Sequence, residues 1–416
     1  MLQKNKNSPA LIRNVFVGIL ATPTLAMADF LSDGKAQIEV RNYYFNRDFR
    51  QPGGSVLSGQ SKAEEWGQGF ILRAESGYTD GTVKFGIDAI GMAGFKLDSS
   101  RDRAGTALFP TADNGESHNE YSKLGVTAKA KVSSTSLKAG ALIFRNQMLL
   151  SPDGRLLPQM FRGVMLESEE IKGLSIQAAH ITDSMPSQST RWDKMSAVRI
   201  GGEAGSYSFY GGDYHLQENS TVGMHYGKLD GIYQQLVANA NISIPIQANK
   251  FLKFDLRYAV SKEDGAFRDI DNRAFGSMVT YTEGAHSIGI GYQKMFGDDP
   301  YPYVANSDAY LVNFIQISDF ANVNEQSWQA RYDFDLAAKG IPGLKFMMRY
   351  VRGDLVDLPG GGRGNEWERD ADITYVIQSG VFKNLSLRWR NAKVRSTFGN
   401  DIDENRLILQ YVVPLF

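Results

Sequence analysis

Leu252-Lys253-Phe254-Asp255-Leu256-Arg257-Tyr258 alternates without a break between apolar and charged residues. A helix would scatter Lys253, Asp255 and Arg257 around a cylinder, whereas an extended strand puts all three on one face and the four apolar side chains on the other. The same period of two returns in Trp328-Gln329-Ala330-Arg331-Tyr332-Asp333-Phe334-Asp335-Leu336, from Leu344 to Tyr350 and from Lys123 to Lys131. Between such stretches, Asp80-Gly81, Asp153-Gly154, Gly211-Gly212, Asp264-Gly265 and the run from Gly340 to Gly343 read as hairpin connections. The chain is therefore all-β, and its strands are antiparallel.

Composition removes several function classes. The 416 residues include no cysteine and carry a formal charge of −1, which excludes disulfide frameworks, thiolate metal sites, cysteine nucleophiles and strongly basic nucleic-acid binders. The histidines, His118, His180, His215, His225 and His286, show no metal-binding spacing. No nucleophile elbow appears, and Gly360-Gly361-Gly362-Arg363-Gly364 lacks the strand and helix of a nucleotide fingerprint, so it reads as an exposed loop. The expectation is a protein without catalysis, metal or cofactor.

The N-terminus reads as an export signal. Lys4, Lys6 and Arg13 precede the apolar run from Val15 to Ala21, and Ala26-Met27-Ala28 supplies the small-residue cleavage pattern. Residues 1–28 are expected to be removed, leaving 29–416 as a single barrel domain. Losing those three cations takes the formal charge from −1 to −4.

A soluble sandwich and a membrane barrel share the period of two. Tyrosines and phenylalanines near strand ends (Tyr43-Tyr44-Phe45, Tyr207, Tyr210, Tyr258, Tyr332, Tyr350, Tyr411) favour the barrel, as aromatic girdles at two membrane interfaces. So does the ending Gln410-Tyr411-Val412-Val413-Pro414-Leu415-Phe416, a last strand closing on an aromatic residue. Long connections, from Asp98 to Tyr121 and from Phe296 to Ala309, alternate with short turns, as in a barrel with unlike rims. At about 10 residues per tilted strand the chain accommodates roughly 16 to 18 strands. A barrel of that width encloses a lumen, and loops must fold inward to make it selective.

Several segments, in order, resemble the OprD-type substrate-specific porins, the Occ family: Arg41 to Asp48, Trp66-Gly67-Gln68-Gly69-Phe70, Gly154-Arg155-Leu156-Leu157-Pro158-Gln159, Gly291-Tyr292-Gln293-Lys294 with Gly297-Asp298, Ser327 to Asp333, Gly340 to Leu344, and Tyr375 to Gly380. The resemblance implies a transmembrane antiparallel β-barrel of about 18 strands in the Gram-negative outer membrane, with an inward-folded constriction loop. It also implies a ladder of basic side chains guiding small carboxylate-bearing solutes. The family's ladder positions fall on Arg47, Arg155, Arg388, Arg390 and Arg406. A lysine of some relatives is Thr374 here. The alternation Leu385, Leu387, Trp389 against Ser386, Arg388, Arg390 puts the last two on one lumen face, and Leu407, Leu409 and Tyr411 place Arg406 inward. Arg41, Lys62 and Arg145 are further candidates by location. Asp298 and Asp299 are candidates for the opposite wall.

The reading is a passive outer-membrane channel for small carboxylates; the alternative is a barrel surface protein with a lipase-like, protease-like or adhesive role. The apolar stretches Ala141 to Phe144 and Met148 to Leu150 lean the choice of carboxylate toward cyclic or aromatic acids. Expected partners are outer-membrane lipid and lipopolysaccharide, the barrel-assembly machinery through Phe416, and either no second copy or a weak trimer; nucleic acid is not expected. N-terminal sequencing of protein from the outer membrane is expected to begin Asp29-Phe30, and a start at Met1 would contradict the export reading.

Overall fold

The computed structural model describes residues 33–416, so the expected signal segment and its cleavage after Ala28 lie outside the described residues. Among those residues there are 21 strands. Three short ones, Asp193–Val198, Glu203–Ala204 and Tyr303–Val304, belong to loops. The remaining 18 are β1 (Lys35–Phe49), β2 (Lys62–Glu75), β3 (Lys84–Asp98), β4 (Glu120–Val132), β5 (Thr135–Leu142), β6 (Met160–Ile171), β7 (Leu174–Met185), β8 (Tyr207–Gln217), β9 (Ser220–Leu229), β10 (Tyr233–Gln247), β11 (Lys250–Glu263), β12 (Asp271–Glu283), β13 (His286–Phe296), β14 (Gln326–Asp335), β15 (Leu344–Asp357), β16 (Arg363–Val376), β17 (Ser386–Ser396) and β18 (Ile402–Pro414). Each pairs antiparallel with the next, and β18 returns to β1 from Gln37↔Pro414 to Phe49↔Ile402. The sheet closes on itself and keeps no edge.

One parity of side chain faces a shared lumen. Lys253 and Asp255 of β11, Arg331 and Asp333 of β14, Lys345 and Met347 of β15, and Asp372 and Thr374 of β16 line one recess of roughly 590 Å³. The other parity is apolar and exposed: Leu256, Tyr258, Ile288, Ile290 and Trp328 are 40 to 61% accessible. A water-soluble sandwich buries its apolar face, whereas this barrel displays it outward and encloses its charges, the arrangement lipid demands. At one rim the connections are 50–61, 99–119, 143–159, 186–206, 230–232, 264–270, 297–325, 358–362 and 397–401; at the other they are mostly tight, as at 133–134, 172–173, 218–219, 248–249 and 284–285.

Four local expectations are corrected. Gly211-Gly212 is not a turn but lies inside β8, because a Cβ on Gly211 would run into His225 and the Met224 carbonyl of β9. Tyr43, Phe45 and Tyr207 are not girdle residues; they point inward and are buried, while Tyr44 and Tyr210 face out. The long connection after β13 runs to residue 325 rather than Ala309, since Leu311, Ile315 and Phe320 are used to pack it against the wall. Strand β14 stops at Asp335, whose carboxylate accepts from the Ala337 amide at 3.0 Å and caps a single 3-10 turn, Leu336–Lys339.

Loop 143–159 folds into the lumen and is held there by its apolar side chains. Phe144 packs edge-on against Phe161 of β6 at 5.8 Å and Phe209 of β8 at 5.7 Å, with Met148 and Leu149 in the same cluster. Leu156 and Leu157 pack with Phe109 and Tyr121, over a wall thinned by Gly69, where a Cβ would sit 3.1 Å from Leu156. The Tyr207 hydroxyl donates to the Met148 carbonyl at 3.0 Å, and the buried Lys123 ammonium donates to the carbonyls of Pro158 at 3.0 Å and Pro186 at 2.6 Å. These apolar residues face the wall, so they give no indication of a preference for cyclic acids.

Truncating a buried Phe costs about 3–5 kcal/mol. Phe144→Ala is therefore expected to free this loop and raise single-channel conductance, with the barrel's heat-modifiable gel mobility unchanged. Unaltered conductance would show that the loop is held without Phe144.

Candidate functional site

The densest charge in the lumen lies where β1 and β18 meet. Inward positions fall into rows across the strands: Phe45 stands opposite Arg406, Arg406 opposite Arg390, and Arg390 opposite Asp372. One step toward the long-loop rim Arg47 faces Glu404, and one step the other way Arg388 faces Thr374. Rows are roughly 6–7 Å apart, the repeat of two strand residues.

Glu404 is fully buried and accepts from Arg47 Nε at 2.8 Å, Arg406 Nε at 2.6 Å and Gln316 Nε2 at 3.0 Å. Removing two such cations from water is tolerable only with this carboxylate between them. Asp372 serves the neighbouring strand: Arg388 reaches its Oδ2 with Nε at 2.9 Å and Nη2 at 2.5 Å, and Arg390 Nε stands 3.4 Å away without a hydrogen bond of its own. Arg155 comes from loop 143–159, donates to the Gly154 carbonyl at 3.0 Å and, among the described residues, has no carboxylate within 4 Å. The Phe45 ring is a common seat, with Arg406, Arg47 and Arg155 at 4.7, 5.4 and 5.5 Å from its centroid. Five arginines thus share two wall carboxylates, a surplus of three positive charges before any acid of the inward loops is counted.

The loops that narrow the lumen are tied together and to this wall. Arg41, itself buried, donates to Glu39 at 2.9 Å, to Asp153 at 2.8 Å and to the Arg155 carbonyl at 2.8 Å, and the Tyr43 hydroxyl holds the Gly154 carbonyl at 3.0 Å. From loop 297–325, Asp308 N donates to the Leu150 carbonyl at 2.9 Å, so the two loops meet there. The Asp308 carboxylate has no hydrogen-bonded partner among the described residues. Burial pushes it up to about 6, while Arg155, Arg390 and Arg406 hold it down. Burial, then Arg406, lowers Arg155 to about 10.

The sequence-selected residues divide by environment. Arg155 and Arg390 carry the least compensated charge, and Arg388 is the most accessible of the five, its side chain 43% exposed. Arg47 and Arg406 are absorbed in the Glu404 pair. Asp298 sits exposed at the rim end of loop 297–325, and its buried neighbour Asp299 is bound to Arg268; the acid facing the arginines is Asp308. Lys62 lies on the outer face with Glu64, and Arg145 is exposed on the inward loop. Thr374 donates to Asp372 at 3.1 Å, and Lys345 stands beside it on β15.

Asp308, Asp372, Glu404 and Phe45 were not anticipated. Glu366, Glu368, Asp370 and Asp372 recur every second residue and signal an acidic wall; Asp308 lies in a loop without periodicity. Raising the pH through 6 is expected to ionise Asp308 and reduce anion preference in reversal-potential measurements, and Asp308→Asn is expected to abolish that change. A pH response that survives in Asp308→Asn would assign it to another group.

Comparison with known proteins places these features in context. A family profile described as outer membrane porin, OprD family, matches residues 28–415. Porin D of Pseudomonas aeruginosa is 35% identical over 414 residues, covering 93% of this chain and 92% of its own. The crystal structure of P. aeruginosa OccK3 (OpdO) superposes with a TM-score of 0.84 at 48% identity, covering 94% of this chain and 98% of that one. P. aeruginosa OpdK, whose structure was solved with vanillate, gives 0.87 at 35% identity over 92% of this chain and 100% of its own.

Proposed function

The chain belongs to the OprD family of outer-membrane porins, and from that premise we propose that its pore selectively passes small solutes bearing a carboxylate. The observation that carries this reading is the surplus of fixed positive charge at the constriction, five arginines against Glu404 and Asp372. Guanidinium groups stay charged at any working pH and fork onto a carboxylate. A solute anion entering from the rim meets Arg155 and Arg390 first as partners short of a counter-ion, then Arg388 one row lower. Several shallow sites in series let an ion leave as readily as it enters, where a single deep one would hold it.

Placement sets the selectivity, since the whole chain carries a formal charge of only −1. Asp308 opposes the arginines and disfavours dianions, so the substrate class is monocarboxylates, including those with an amino group that Asp308 would accept. The OpdK structure with vanillate, an aromatic carboxylate, supports the same chemistry in a relative. Lys345 beside Thr374 continues the basic path toward the turn rim on the adjacent strand. Phe416, 75% exposed at that rim, is available to the barrel-assembly machinery.

A hydrogen bond to a charged group contributes about 1.5–3 kcal/mol. The double variant Arg388→Ala with Arg390→Ala is accordingly expected to weaken current block by monocarboxylates about 10- to 100-fold, leaving heat-modifiable mobility intact. Unchanged block would remove these two residues from the translocation path.

A further inference from the structure

The outer face of β16, β17 and β18 near the long-loop rim carries two cations that the pore does not use. Arg369 and Lys393 stand directly opposite each other across β16 and β17. Their inward neighbours Asp370 and Ala392 are buried in the wall, so both cations face away from the lumen. Like charges directly opposite on one sheet face repel. Three other outward cations near this rim have a carboxylate: Lys62 meets Glu64 at 2.7 Å, Arg352 meets Asp354 at 3.0 Å and Arg395 meets Asp403 at 2.9 Å. Asp403 is also the cross-strand neighbour of Lys393, and Arg395 occupies it. Among the described residues, neither Arg369 nor Lys393 has a carboxylate within 4 Å.

Arg369 is nonetheless held in place. One guanidinium nitrogen donates to Asn391 Oδ1, and Asn391 Nδ2 in turn donates to Asn405 Oδ1 at 2.9 Å, a chain of polar groups across three strands. Its Nε is buried and has no partner. Toward the turn rim the same outward face becomes apolar and aromatic: Ile373, Trp389 and Leu407 form one row, Tyr375, Leu387 and Leu409 the next. In an outer-membrane barrel the longer loops face the exterior. Tyr350 stands opposite Arg369 and Trp367 lies one outward row nearer the rim, so the two cations lie among the outer interfacial aromatic residues, a level at which lipid headgroups are expected.

We propose that Arg369 and Lys393 bind a phosphate of a phosphorylated glycolipid of the outer leaflet, whose acyl chains run down over Trp389, Leu407 and Leu387. An anionic headgroup between the two cations relieves their repulsion. The apolar rows beneath accommodate hydrocarbon, which an acidic side chain from a second copy would leave unused.

The test is native mass spectrometry of the full protein in detergent, titrated with bis-phosphorylated lipid A and with the same lipid dephosphorylated. The wild type is expected to retain the phosphorylated lipid, and Arg369→Gln with Lys393→Gln to lose it by roughly 30-fold, given about 1 kcal/mol per basic residue at an anionic surface. A control pair, Lys62→Gln with Arg352→Gln, is expected to behave as wild type, and Lys393→Arg to retain binding. If the double variant does not give the folded gel mobility, the single, solvent-facing Lys393→Gln carries the comparison. Equal retention by the double variant, equal retention of the dephosphorylated lipid, or an equal loss in the control pair would overturn the proposal. A changed oligomeric state with unchanged lipid retention would overturn it in favour of a second copy.

Discussion

Every backbone polar group of a strand in hydrocarbon must find its partner in a neighbouring strand, because no water is there to take its place. The ladder between β18 and β1 meets that requirement, and most of the remaining architecture follows from it. Closing 18 strands makes a tube too wide for side chains to fill. The loops must do the filling, and they are bound to the wall as tightly as any soluble core: Phe144 between Phe161 and Phe209, Leu156 over Gly69, and Lys123 holding two loop carbonyls.

Within that frame, charge is placed in two ways. Arg47 and Arg406 share the one carboxylate of Glu404, which ties β1 to β18. Arg155, Arg388 and Arg390 have one carboxylate among them, Asp372, and so retain an excess of positive charge. The Phe45 ring allows three guanidinium groups to crowd one spot by giving them a flat surface that takes no hydrogen bond from them.

Much of this was readable from the chain because lipid imposes a period of two on residues 252–258 and its counterparts. Arg388 and Arg390 could be assigned to the lumen from alternation alone. What the pattern could not give was the parity of aromatic residues such as Tyr43, Phe45 and Tyr207, which are as suited to a loop-packed interior as to a membrane interface. Nor could it give the 297–325 loop, whose apolar residues look like another strand but pack individually against the wall. Asp308 was invisible for the same reason: its position depends on one backbone contact with Leu150, between loops far apart in sequence.

The site is also divided by the seam of the barrel. Phe45 and Arg47 belong to the first strand of the sheet, Glu404 and Arg406 to the eighteenth, and they meet only when those two strands zip together. Closing the barrel thus also completes this part of the lumen wall. A sheet still open at that seam would lack both its closing ladder and the Arg47–Glu404–Arg406 bridge, so no lumen exists before that part of its wall does.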